Sequence, residues 1–208
     1  GAIGTKRSSI SLVDGTSQEG YFQGQEILVS GDRAFVIARA EMLYLDTPMV
    51  LEDASVDSTS VPMPWIPQTV VTEIDLSNPD QMTVVNSLTL DGSYISARAI
   101  GDTARIAITT PPRDLGFLYP SSPEAEATAI ETNRDLVRAT TIADWLPGYE
   151  LVDAGRNATP GDLVDCNSIH APEEFAGFNM LSVVTLPMYE SLRAPAATTS
   201  IMATGDTV

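Results

Sequence analysis

The side chains that could act as a nucleophile and its base are few. Cys166 is the single cysteine and His170 the single histidine, and the chain contains no Gly-x-Ser-x-Gly sequence. A nucleophile has to lie within hydrogen-bond reach of its base, whereas two residues four positions apart on a strand are separated by about 13 Å. We therefore interpret Cys166 as a small buried residue and His170 as a structural or solvent-exposed residue, and not as a catalytic pair.

A hydrolase could instead use carboxylates, which are abundant. Asp and Glu number 28 against 11 Lys and Arg, which gives a formal net charge of −17. Five acids fall within residues 41–57, and they are Glu41, Asp46, Glu52, Asp53 and Asp57. Facing carboxylates hydrolyse glycosidic bonds, and clustered carboxylate oxygens bind Ca²⁺. The spacing is not that of an EF-hand loop, so we expect a solvated acidic loop and no cofactor, with Ca²⁺ as the alternative.

The negative charge also limits the partners. It repels phosphate backbones and anionic lipid, so we expect no nucleic acid partner. The sequence has no apolar run of about eighteen residues, and we therefore expect no insertion of this segment into a membrane. With one cysteine, it predicts neither an internal disulfide nor a cysteine-based zinc site.

Three side chains are candidates for binding. Trp65 and Trp145 each lie beside prolines on a long segment between strands. Each either pins its segment to the rim of the fold or offers an aromatic surface to a carbohydrate or peptide. Arg98 falls in the inner part of a predicted sheet, where an apolar residue is expected. It is predicted to pair with a carboxylate such as Asp91 or with backbone carbonyls, or to contact a ligand in a channel.

The elements that must position these residues are β-strands in a repeated order. Residues 26–40 and 96–110 each predict a β-hairpin, with Gly31-Asp32 and Gly101-Asp102 at the turns, because glycine supplies the positive φ of a tight turn. Strands at 69–75 and 82–90 follow the first hairpin after a proline-rich loop. Four-stranded meanders that follow one another in the chain are typical of β-propeller blades.

Other elements are predicted with less regular patterns. Alternation over residues 8–13 indicates a strand. Ser122 followed by Pro123 predicts a helix over residues 123–139, since serine is a good N-cap and proline suits the first helical position. Further strands are predicted at 163–169, which carries Cys166, and at 179–186 and 199–203.

With these elements in place, the chain resembles secreted bacterial proteins that carry a C-terminal β-propeller domain. The matching segments are residues 26–33, 72–79, 90–98 (LDGSYISAR) and 144–147 (DWLP). The resemblance implies export to the cell envelope or outside the cell and a longer parent protein. It supplies no catalytic residues.

The expected fold is therefore all-β, a partial β-propeller of four-stranded antiparallel blades with one helical insertion at about residues 111–162. Residues 1–25 would end one blade, 26–91 form a full blade, 92–203 form the blade with the insertion, and 204–208 begin the next. The expected function is a non-catalytic extracellular or cell-envelope scaffold that binds a protein or glycan through its rim loops. The alternatives are a hydrolase that uses rim carboxylates with the insertion as a lid, and a structural envelope component.

Overall fold

Antiparallel β-strands are the main regular structure in the part of the chain that the structure describes. The computed structural model describes residues 7–12, 20–42, 66–112, 117–118 and 122–205. Within these ranges the strands are β1 (Gly20–Ser30), β2 (Arg33–Met42), β3 (Gln68–Asp75), β4 (Thr83–Asp91), β5 (Ser93–Ile100), β6 (Thr103–Thr110), β7 (Gly148–Val152), β8 (Ala158–Asp162), β9 (Ile169–His170), β10 (Met180–Pro187) and β11 (Ala197–Met202). One α-helix, α1 (Pro123–Ala139), lies between β6 and β7.

The strands form two sheets. In the first sheet the order is β1-β2-β3-β4-β7-β8, and in the second it is β5-β6-β10-β11-β9. Both predicted Gly-Asp hairpins are confirmed, with Gly31 and Gly101 at φ of 57° and 58°. Each sheet therefore contains the expected four-stranded antiparallel meander, β1 to β4 in the first and β5, β6, β10 and β11 in the second.

The hydrophobic core lies between the two sheets. Its fully buried side chains include Phe35, Ile37 and Leu88 from the first sheet and Ile106 and Ile108 from the second. Burial of each such side chain stabilises the fold by about 1.5–3 kcal/mol. The core accordingly holds the sheets face to face.

Where the chain first passes from one sheet to the other, the connection is a single residue. Gly92 separates β4 from β5 and has a φ of 144°, and a Cβ at this position would lie 2.7 Å from the Thr110 Oγ1 atom. Only glycine fits this conformation and this space. The chain therefore passes directly from β4, the last strand of the first meander, into β5, the first strand of the sheet that packs against it.

The segment between β6 and β10 is only partly helical. The predicted helix is confirmed as α1, and Ser122 occupies the N-cap position without a side-chain capping bond. However, β7 pairs with β4, and β8 pairs with β7, so this segment adds two strands to the first sheet. The reason is that β4 would otherwise expose an unpaired edge, and edges pair readily with nearby extended chain.

Two of the predicted strands are wrong. Residues 7–12 form no strand. Residues 163–169 contain a 3₁₀ turn at Cys166–Ser168, followed by the two-residue β9. The Asp165 carboxylate accepts a hydrogen bond from the Asn167 backbone N–H at 2.8 Å, and such a local bond competes with strand formation.

Candidate functional site

Three aromatic side chains of the β6–β10 segment lie together at the surface, and we call Trp145, Phe175 and Phe178 the aromatic patch. The ring centroids of Trp145 and Phe178 are 6.4 Å apart, and those of Phe175 and Phe178 are 4.9 Å apart in an edge-to-face arrangement. Phe175 is 76% exposed and Phe178 is 53% exposed. Large aromatic side chains exposed in a cluster mark recognition surfaces more often than single exposed apolar residues do.

A short 3₁₀ turn, Ile142–Asp144, positions Trp145. The Asp144 carboxylate accepts hydrogen bonds from the Thr141 backbone N–H at 2.7 Å and from the Thr141 hydroxyl at 2.9 Å. The Asp144 backbone N–H donates in return to the Thr141 side chain, which completes a capping box. The Trp145 indole N–H then donates to the Thr140 hydroxyl at 2.9 Å. These local bonds fix the half-buried indole, and its ring lies beside that of Phe178.

The loop that carries Phe175 and Phe178 is tied to the end of β11. The Thr204 N–H donates to the Ala176 carbonyl and the Ala203 N–H to the Asn179 carbonyl, each at 2.8 Å. Gly177 has a φ of 117°, and any side chain there would overlap that of Thr204. The backbone is thus held against the second sheet while both phenylalanine rings face solvent.

A second candidate site is a cavity of about 610 Å³ at the outer edge of the first sheet. Its lining includes three acids, Asp91, Glu150 and Asp162, together with Tyr149, and we call it the carboxylate pocket. Asp91 and Asp162 lie on β4 and β8, the two neighbours of β7, so their backbones are about 9.5 Å apart. The pocket therefore combines carboxylates and an aromatic side chain in one concave site.

Glycine shapes the floor of the carboxylate pocket. The Gly148 N–H donates to the Asp91 carboxylate at 3.0 Å, and a Cβ on Gly148 would lie 3.3 Å from the same carboxylate. On the neighbouring strand, a Cβ on Gly161 would meet the Tyr149 ring at 2.6 Å. The two glycines leave space between the carboxylates and allow Tyr149 to lie flat against β8.

Arg98 lies in a different environment from the one expected. Its side chain is 77% exposed, so it does not occupy an apolar inner position. The guanidinium donates to the Ala97 carbonyl at 3.1 Å and lies 3.9 Å from the Glu26 carboxylate of the other sheet. The carboxylate partner is thus Glu26, while Asp91 accepts from Gly148. The reason is that Arg98 lies near the end of β5, where the core between the sheets gives way to solvent.

Beside this pair, Tyr94 is buried. Burial first, and the neighbouring Glu26 carboxylate second, raise the pKa of the Tyr94 hydroxyl to about 12, although among the described residues no atom meets hydrogen-bond geometry with that hydroxyl.

The remaining predicted residues do not join a site. Cys166 is exposed, so its interpretation as a buried residue is wrong, because the Asp165 turn carries it to the surface. His170 lies on β9 and is exposed, which agrees with its interpretation as a structural or solvent-exposed residue. Trp65 and the acidic residues 43–57 lie outside the described residues, as does the side chain of Glu41. In the part of the chain that the structure describes, no three His, Cys, Asp or Glu side chains are grouped so as to hold a metal ion.

One buried carboxylate was not singled out by the sequence. Glu73 on β3 is fully buried and forms an ion pair with Arg33 on β2. Its carboxylate also accepts from the Leu192 backbone N–H at 2.8 Å, from the Asn86 side chain at 3.2 Å and from the Ser191 hydroxyl at 3.3 Å. We call this set the Glu73 network. It connects three strands of the first sheet to the β10–β11 connection of the second.

The comparisons with known proteins give one match. The family described as beta propeller domain matches residues 4–208. No curated protein matches the chain, and no solved structure matches it. Within the described residues, no helix is both long and apolar enough to cross a bilayer.

Proposed function

The chain belongs to the beta propeller domain family, and on this premise we propose that it is a non-catalytic scaffold that binds a protein or glycan through its rim. The observation that carries the proposal is the aromatic patch. Its rings are held by a capping box on one side and by β11 on the other, so little conformational freedom is lost when a partner binds. A preformed aromatic surface of this kind suits recognition and needs no catalytic group.

The proposal extends to blade layout and location. We propose that the meander within residues 26–91 forms one blade and the meander within 92–203 the next, with β7 and β8 of the insertion added to the first blade. In support, the outward face of the first sheet carries a groove of about 470 Å³ whose lining includes Val36, Ala38 and Val70, which are small apolar residues of the kind that pack against another sheet. An extracellular or cell-envelope location rests on the resemblance to secreted proteins alone.

The proposal is tested with two probe sets, an array of neutral and acidic glycans and a displayed library of twelve-residue peptides. Wild-type protein is compared with Phe175→Ala/Phe178→Ala. The matched control is Tyr189→Ala, which removes an aromatic side chain that is 67% exposed and lies outside the patch. We expect ligands that the double variant loses at least tenfold in affinity and the control keeps. Equal binding by all three proteins would refute the patch as the recognition surface.

A second candidate function is hydrolysis, because the carboxylate pocket places acids beside an aromatic ring. General acid and base carboxylates of inverting glycosidases are about 6.5–9.5 Å apart, which is close to the backbone spacing of Asp91 and Asp162. A lid would have to come from other residues of the β6–β10 segment, since β7 and β8 are paired into the sheet. Release of nitrophenol from a panel of 4-nitrophenyl glycosides, lost in Asp162→Asn, would support it. Equal release by the variant would exclude this pocket.

A further inference from the structure

We propose that the partner bound at the aromatic patch is a basic polypeptide segment, one that presents Arg or Lys beside apolar side chains. This inference rests on the proposed function and narrows it from a protein or glycan to one chemistry. It is carried by the charges around the patch together with the exposure of its rings.

The stretch of sequence that contains the patch is strongly acidic. Residues 141–179 contain seven Asp or Glu against one Arg and one His. Glu173 and Glu174 directly precede Phe175, both are exposed, and neither forms an ion pair within the described part of the chain. Negative charge at this density attracts cations and repels phosphate and acidic sugars. It therefore favours a basic partner and disfavours an anionic one.

The rings add a specific contact for the same ligand. The faces of aromatic rings carry negative electrostatic potential, and Arg or Lys within about 6 Å of a ring centroid is attracted to it. Because Phe175 and Phe178 meet edge to face, each leaves ring surface open to solvent. The apolar neighbours of the basic residues can cover the rest of these rings, so one short segment satisfies both the rings and the carboxylates.

A neutral glycan is the main competing ligand, and it makes a different prediction. Stacking of a sugar on an aromatic ring draws little strength from surrounding net charge. Binding of a cationic segment next to exposed carboxylates is screened by salt, since the Debye length falls from about 10 Å at 0.1 M to about 3 Å at 1 M. Salt dependence therefore separates the two.

The experiment uses three synthetic peptides of eleven residues that share the same leucines and differ only in the flanking positions, which are Arg, Gln or Glu. Binding is measured by fluorescence anisotropy at 50 and 500 mM NaCl. A second readout is the emission of Trp145 in a Trp65→Phe background, because the chain has two tryptophans and this change leaves one.

We expect the Arg peptide to bind at least tenfold more tightly than the Gln peptide at 50 mM NaCl, and to lose most of this advantage at 500 mM. Glu173→Gln/Glu174→Gln should weaken the Arg peptide about four- to twenty-fivefold, which corresponds to about two- to fivefold for each charge contact. The control is Asp32→Asn/Asp102→Asn. It changes the net charge equally, and Asp102 lies at the opposite end of β6, about 20 Å from the patch.

Each outcome has a defined meaning. If the Arg peptide binds wild-type protein no more tightly than the Gln peptide, the inference is overturned. If the control weakens binding as much as the Glu173 and Glu174 changes do, the attraction is general and local recognition is overturned. If neutral peptides or glycans bind at least as tightly as the Arg peptide and are lost in Phe175→Ala/Phe178→Ala, the inference fails while the proposed function stands. If no ligand depends on Phe175 and Phe178, both fail.

Discussion

Replacing Glu73 by alanine should destabilise the protein, because it removes polar contacts that join the two sheets. The change removes the ion-pair partner of Arg33, the acceptor for the Leu192 backbone N–H and one of the two acceptors of the Asn86 amide. Leu192 is buried, and its N–H would then have no acceptor from that side chain. The expected effect is a loss of global stability with the hydrophobic core left unchanged in composition.

The size of the loss follows from the burial of each group. Removing one member of a buried ion pair costs about 3–5 kcal/mol. Arg33 is 35% exposed, so water compensates part of its lost partner and the lower end of this range applies. A buried donor left without an acceptor costs about 1–3 kcal/mol, a term that the ion-pair figure already includes in part. We therefore expect Glu73→Ala to lower the free energy of unfolding by about 3 kcal/mol.

Two further variants at position 73 separate the contribution of the charge to stability from that of the hydrogen bonds. Glu73→Gln keeps an oxygen that can accept from the Leu192 N–H but loses the charge, and we expect a loss of about 1–2 kcal/mol. The combination Glu73→Leu with Arg33→Met removes both charges and fills the space with apolar groups. Because paired charges are often replaced by apolar side chains at little cost, the double variant should be more stable than Glu73→Leu alone.

The assay is equilibrium unfolding in urea followed by circular dichroism, with free energies from linear extrapolation. The control is Glu131→Ala, which breaks the exposed pair of Glu131 with Arg134 on α1 and should cost less than about 0.5 kcal/mol. A loss below about 1 kcal/mol for Glu73→Ala, or a loss equal to that of the control, would refute the reasoning that the Glu73 network holds the sheets together.

Three other predictions concern single residues. Gly92→Ala forces a Cβ into contact with Thr110 at a φ of 144°, and we expect a loss of about 2–3 kcal/mol in urea unfolding. The pKa of Tyr94 is raised from 10.0 to about 12, so the neutral hydroxyl is favoured in the folded state. Its contribution to stability should be full below pH 10 and decline as the pH rises toward 12, and Tyr94→Phe should abolish this part of the pH dependence. Hydrogen bonds from Asn157 lower the pKa of Asp153 below 3.8, so Asn157→Ala should raise it toward that value in an NMR titration.

The meanders could be predicted because local chemistry determines them. Glycine at Gly31 and Gly101 sets the turns, and runs of β-formers on either side have only one short way to pair. The added strands β7 and β8 could not be predicted in this way. β8 includes Pro160 and has little apolar alternation, so its strand conformation depends on the edge that β4 offers. Proline is tolerated there because β8 is itself an edge strand.

The candidate sites divide in the same manner. Trp145 was identified because a tryptophan beside proline on a long segment is conspicuous, whereas Phe175 and Phe178 belong to no periodic pattern and were missed. Glu73 carried a usable signal. It occupies an alternate position in a strand whose neighbours on the same face, Thr69 and Val71, are buried. A charged residue on a buried face predicts a partner, but only the three-dimensional structure shows that Arg33 and Leu192 supply it.

The position of the aromatic patch follows from which surfaces of the fold are free to carry exposed aromatic side chains. Their inner faces are committed to the core, and the Gly31-Asp32 and Gly101-Asp102 turns of their hairpins are too short to present a recognition surface. The β6–β10 segment has a different constraint, because pairing of β7 with β4 already anchors it to the sheet. Once it is anchored, its remaining loops need only local bonds such as the Asp144 capping box to hold exposed rings in place. The same pairing also covers the edge of the first meander, so one segment both protects the scaffold and displays the surface that we propose binds a partner.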